Sequence, residues 1–104
     1  MLRTRYLRKN ELQVREIPEN ILGLHLILEL YGCERERLKR AEYVEKALLR
    51  AARAAELTII NVKSHQFEPE GVSSIILIGE SHLTVHTWPE YSFAAADIFV
   101  CGEK

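Results

Sequence analysis

Cysteine is scarce in this chain: Cys33 and Cys101 are the two in 104 residues. That is too few for the disulfide framework of a small secreted domain, and it leaves thiols open to chemistry. Long apolar runs are missing as well. The longest, Ile75-Ile76-Leu77-Ile78 with its neighbours, falls far short of the roughly 20 residues that span a bilayer. The basic N-terminus has no apolar core of a secretion signal, which predicts a cytoplasmic protein. Basic residues are nearly absent from the second half. After residue 60 only Lys63 and Lys104 face Glu68, Glu70, Glu80, Glu90, Asp97 and Glu103. An acidic half repels a phosphate backbone and suits a cation, and the earlier basic residues are interspersed with glutamates; neither a nucleic acid nor a membrane is expected as partner. Repeats and low-complexity stretches are also lacking. What remains, 47% hydrophobic and 28% charged with a net charge of −1, is the composition of one small globular domain.

Patterning predicts an α+β fold. Residues 1–21 have mixed charge and no clear period, and read as an arm with room for a short strand at 12–17. Residues 22–31 form an apolar strand candidate stopped by Gly32. In 35–56, Leu38, Ala41, Val44, Leu48, Ala51 and Ala55 recur at spacings of three and four among good helix formers. No Ser, Thr, Asp or Asn caps the start of that helix; Glu34 and Glu36 are a weaker signal. Four more strand candidates follow at 57–67, 71–79, 83–88 and 92–101, each bounded by Gly, Pro or a polar pair. The expected architecture is a two-layer sandwich, a mostly antiparallel sheet with the helix on one face. The run 75–78 is apolar without alternation, which suggests burial on both faces. One helix covers one face only, so a homodimer packed sheet to sheet is expected.

The chemistry concentrates in Gly79-Glu80-Ser81-His82-Leu83-Thr84-Val85-His86-Thr87-Trp88-Pro89-Glu90-Tyr91, then Asp97 and Cys101-Gly102. Strand alternation places His82, Thr84, His86 and Trp88 on one face, with Ser81 just ahead of the strand. Three readings of these residue types stay open. A Ser-His or Cys-His pair supports nucleophilic catalysis. His65, His82, His86 and Cys101 are possible metal ligands, although no C-x-x-C or H-x-x-H spacing backs them. Satisfied polar residues within a sheet are the third.

The string from Glu80 to Glu90 resembles the processing site of the short, pyruvoyl-dependent S-adenosylmethionine decarboxylase proenzymes of bacteria and archaea. The resemblance extends back through Gly71-Val72-Ser73 and Leu28-Glu29-Leu30-Tyr31-Gly32-Cys33, and covers about residues 22–102. It implies cleavage between Glu80 and Ser81. The Ser81 hydroxyl attacks the Glu80 carbonyl to give an ester, a base removes the Ser81 α-proton, and β-elimination leaves a pyruvoyl cofactor derived from Ser81. It further implies a Schiff base with the substrate amine, electron-sink decarboxylation, and a product that donates aminopropyl groups for spermidine synthesis. His86 takes the base role, Ser73 steadies the ester, and Cys101 is the proton donor. Phe67 and His86 stack the adenine and Glu90 binds the ribose hydroxyls. No metal is implied. The family continues past Cys101-Gly102 with a further helix and strand, so residues 22–104 are expected to form the domain without that part. A paralogue acting on another amino acid such as arginine, an uncleaved binding or regulatory module, and metal-dependent hydrolysis are the alternatives. His25, His65, His82 and Cys33 take no assigned role, and Trp88 is expected to pack at the interface.

Overall fold

The computed structural model describes residues 2–8, 22–79 and 81–101, the first of these by backbone alone. Six strands form one sheet in the order β1-β2-β6-β5-β4-β3. They are β1 (Leu2–Arg8), β2 (Gly23–Tyr31), β3 (Ile59–Gln66), β4 (Val72–Ile78), β5 (Ser81–Trp88) and β6 (Phe93–Cys101). All pairs are antiparallel except β1 with β2, which run parallel. The expected α+β sandwich is therefore present, with its helix on one face. The strand expected at 12–17 lies outside the described residues, as do Glu80 and Gly102.

Register sorts the side chains into two faces. The rung Leu26, Ile98, Leu83, Ile76 and Val62 runs across five strands on the helix side. There Ile76, Ile78 and Leu83 close over Ala52 of helix α1 (Ala41–Ala54), with Leu48 and Leu49 packed beside them. The opposite face carries the rungs His25–Phe99–His82–Leu77, Ile27–Asp97–Thr84–Ile75 and Glu29–Ala95–His86–Ser73–His65. The 75–78 run consequently alternates. Ile76 and Ile78 are buried, whereas Ile75 and Leu77 are 38% and 46% exposed on a face that nothing among the described residues covers. It is the open face of the sheet.

The helix is shorter than its periodicity suggests. Residues Arg35–Leu38 form a 3-10 turn that buries Leu38, and Arg40 is extended before α1 begins. The missing local cap is supplied from another strand. Gln66 Oε1 accepts from the Ala41 N–H at 2.7 Å, and Gln66 Nε2 donates to the Lys39 carbonyl at 2.8 Å. The same Nε2 reaches the carbonyls of Phe67 and Gly71, both at 3.0 Å, so one side chain ties helix start to loop 67–71. Gln66→Ala is expected to cost about 1–2 kcal/mol, the scale of a lost cap. Urea unfolding measures it, and a midpoint equal to wild type would show that the cap carries no stability. Among the described residues no helix is long and apolar enough to cross a membrane.

Candidate active site

Two groups of polar side chains lie at opposite ends of β5, on the open face except for Ser81, whose rung with Val100 and Ile78 belongs to the helix side. The first surrounds a cleft of about 270 Å³ lined by Phe67, Ser73, His86, Trp88 and Glu90, with Gly71 at its back. Strand pairing sets Ser73 opposite His86, and Ser73 Oγ lies 2.8 Å from His86 Nδ1. Loop 67–71 returns on itself through Phe67 N–H to the Gly71 carbonyl at 2.8 Å, which turns Phe67 toward the cleft. Gly71 has a φ of +112°, open to glycine and strained for any other residue. The floor is fastened by Thr87, which is buried: its Oγ1 donates to the Leu38 carbonyl at 2.8 Å and accepts from the Val72 N–H at 2.9 Å. Glu90 sits in the 3-10 turn Pro89–Tyr91, started by the fixed φ of Pro89 and closed by Ser92 in the left-handed region. The Phe67 ring meets His65 edge-on at 4.5 Å. Phe67, His86 and Glu90 are all exposed in the single chain.

The second group lies where β5 begins. Ser81 is its first residue, two positions before the strand start expected at Leu83, and its φ is +154°. L side chains rarely adopt such a value, and it falls on the residue that follows Glu80. Ser81 pairs with Val100, so Cys101, the last residue of β6, comes to the same end of the sheet. Ser81 Oγ is 3.4 Å from His82 Nδ1.

Beside Ser81 is a cluster that sequence reasoning missed. Asp97 Oδ2 accepts from His25 Nε2 at 2.6 Å and from His82 Nε2 at 3.0 Å, and Asp97 Oδ1 accepts from the Thr84 hydroxyl. The residues come from three neighbouring strands, with 72 positions separating His25 from Asp97, so no local spacing signals them. Burial pushes the Asp97 carboxyl up, but the hydrogen bonds from Thr84, His25 and His82 outweigh it and bring it down to about 2. A carboxyl depressed from 3.8 adds stability that is full above that value and is lost as pH falls toward 2. After allowance for solvent screening this amounts to about 1 kcal/mol. Thermal melts from pH 5 to pH 2 should therefore fall more steeply for the wild type than for Asp97→Asn; parallel curves would show that these bonds add nothing.

Of the residues singled out in the sequence, Phe67, Ser73, His86 and Glu90 meet at the cleft, and Ser81 and Cys101 come to the other end of the sheet. The two groups do not meet within one chain. Five residue steps along extended strand separate Ser81 from His86, about 16 Å at the usual rise.

A family model described as S-adenosylmethionine decarboxylase matches residues 24–104. A curated S-adenosylmethionine decarboxylase proenzyme from Thermodesulfovibrio yellowstonii is 55% identical over 82 residues, 79% of this chain and 61% of the relative. The protein of the same description from Methanococcus vannielii is 50% identical over 82 residues, 79% of this chain and 67% of its own. The chain thus spans about three fifths to two thirds of the length of these relatives. The crystal structure of the adenosylmethionine decarboxylase from Aquifex aeolicus superimposes with a TM-score of 0.75 at 38% identity, covering 79% of this chain and 68% of that one.

Proposed function

Because this chain belongs to the S-adenosylmethionine decarboxylase family, we propose that it is a proenzyme which cuts itself between Glu80 and Ser81 and then decarboxylates S-adenosylmethionine. The product would be the aminopropyl donor for spermidine synthesis. The observation that carries the reading is Ser81: a serine at the mouth of a strand, with a φ unsuited to an L side chain and its hydroxyl beside an imidazole. A pyruvoyl group made from it supplies a carbonyl for the substrate amine and a sink for the electron pair left when CO2 departs. A serine in this position fits that origin, since it offers both the attacking oxygen and the three-carbon skeleton.

The remaining roles follow the chemistry of each side chain. Cys101, at the Ser81 end of the sheet, is the proton donor to the substrate carbon. Phe67 and His86 offer flat faces to the adenine, and the Glu90 carboxylate accepts hydrogen bonds from the ribose hydroxyls. His86, hydrogen-bonded to Ser73, is the base for the Ser81 α-proton.

The separation of the two groups supports a composite site. A homodimer formed through the open faces, related by a two-fold axis between the sheets and across the strands, sets the Ser81 end of one copy over the His86 end of the other. Exposed Ile75, Leu77, Trp88 and Phe67 give that contact its apolar content. Such an arrangement also explains why the cleft of one chain, at about 270 Å³, is smaller than most small-molecule sites. Intact mass under denaturing conditions tests the proposal. Two fragments, residues 1–80 and a shorter one whose first residue is a pyruvoyl group, are expected. A single unmodified chain after prolonged incubation would overturn it.

A further inference from the structure

We propose that His82, held by Asp97, is the acid–base group that moves the Ser81 hydroxyl proton in the acyl shift that starts chain cleavage. The inference rests on the self-cleavage reading and assigns its first step, which the α-proton base His86 does not cover.

Three observations converge. First, His82 Nδ1 lies 3.4 Å from Ser81 Oγ, a distance that shortens readily as a base engages a proton. Within the same chain the other strand-face histidine, His86, is four residues further along β5 and its Nδ1 is occupied by Ser73. Second, Asp97 sets the tautomer. An ionised carboxylate only accepts, so the 3.0 Å contact to His82 Nε2 requires the proton on that nitrogen and leaves the Nδ1 lone pair facing Ser81. Third, the ring is fixed in place. Phe99 stacks against it at 6.3 Å and 27°, and His25 meets it edge-on at 6.0 Å while donating to the same Asp97 oxygen. Thr84 engages the other carboxylate oxygen. His25, Thr84 and Asp97 are thus positioning residues, and His82 touches the reacting atom.

The step balances without a co-reactant. Ser81 Oγ bonds to the carbonyl carbon of residue 80 as its proton passes to His82 Nδ1 and the carbonyl π pair moves to oxygen. Collapse restores the C=O bond and breaks the bond from that carbon to the Ser81 nitrogen. That nitrogen takes the proton back from His82 Nδ1. An amide becomes an ester and a free amine, with no net gain of protons or electrons. Asp97 stabilises the imidazolium that exists between the two transfers.

The same His25, His82 and Asp97 atoms lie within 4.8 Å of one another, a spacing open to a metal ion. A cation would need the lone pairs of both Nε2 atoms and would displace the protons that an ionised Asp97 accepts from them. The contacts at 2.6 and 3.0 Å have the length of hydrogen bonds, which favours the proton relay, and a metal is an outcome of the test.

The test uses the full chain, followed by intact mass with and without hydroxylamine, which splits esters and spares amides. Wild type, His82→Gln and Asp97→Asn are compared, each with its thermal unfolding recorded. His82→Gln is expected to slow both spontaneous and hydroxylamine-dependent cleavage by about 100-fold or more. Asp97→Asn is expected to slow them less. Imidazole ¹⁵N spectra of the uncleaved Ser81→Ala chain should place the His82 proton on Nε2, and adding Asp97→Asn should mix the tautomers. The spectra need no processing, so they decide even if a variant folds poorly. A folded His82→Gln chain that cleaves at the wild-type rate would overturn the inference. So would rapid hydroxylamine cleavage of that variant, since His82 would then act after the ester, or a proton found on Nδ1. Zinc retained at one per chain and lost with Asp97→Asn would replace the relay by a metal site. A wild-type chain that yields no fragment under either condition fails the self-cleavage reading itself, an outcome distinct from all of these.

Discussion

Ser81→Ala should leave the chain at full mass under every condition, with decarboxylase activity at background. The substitution removes a single oxygen from a half-buried residue, so the change in stability should stay below about 1 kcal/mol. The chemical loss is total by contrast. Without Oγ there is no nucleophile for the preceding carbonyl, no ester, and no leaving group for β-elimination. The cofactor cannot arise from any other atom of residue 81. Enzymes lower such barriers by about 8 kcal/mol or more, and this variant forfeits all of that part which depends on the carbonyl sink. Intact mass and release of labelled CO2 are the two measurements. Cleavage that persists in Ser81→Ala would mean that another serine, such as Ser73 or Ser74, is the true nucleophile.

The second large effect is a rescue. Ser81→Ala and His86→Ala are each expected to be inactive alone, because each removes one half of the site. Mixed and allowed to exchange subunits, they should regain activity. A dimer with one chain of each kind has one site with intact Ser81 from one copy and intact His86 from the other; its second site lacks both. Random pairing makes about half of the dimers mixed, so about a quarter of all sites should recover. Mass identifies the chain that is cut: it must be the one that keeps Ser81 and carries alanine at 86. The prediction follows from the roughly 16 Å between the two residues on one strand, a gap that no rotamer change spans. A mixture that stays inactive, while each variant still dimerises, would place the site within a single chain and remove the composite reading.

Most of the fold was legible because its signals are local. The apolar spacing of Leu38, Val44 and Leu48 and the Gly, Pro and polar breaks around four strands each depend on neighbours a few residues away, although the periodicity chose Ala51 where Ala52 is the buried residue. The helix start was not legible. Its cap is Gln66, 25 residues downstream of Ala41, and a glutamine inside a strand looks like an ordinary polar edge residue. The run 75–78 misled in part. Four apolar residues in a row suggested cover on both faces, yet within this chain only Ile76 and Ile78 are buried.

Ser81, His86 and Cys101 were candidates from the order of residues, through the resemblance that a long specific string carries without coordinates. The sequence also determined that one helix would cover one side of a mostly antiparallel sheet, because amphipathic period is a property of the chain itself. Tertiary structure decided the rest. It put Ser81 and His86 at opposite ends of one strand, and it gathered His25, His82, Thr84 and Asp97 from three strands into one cluster. Hydrogen-bond register between strands distant in sequence fixes which side chains share a rung, and no local pattern encodes that register. Ser81 is therefore identifiable from its neighbours in sequence, whereas the base beside its hydroxyl is identifiable only from its neighbours in space.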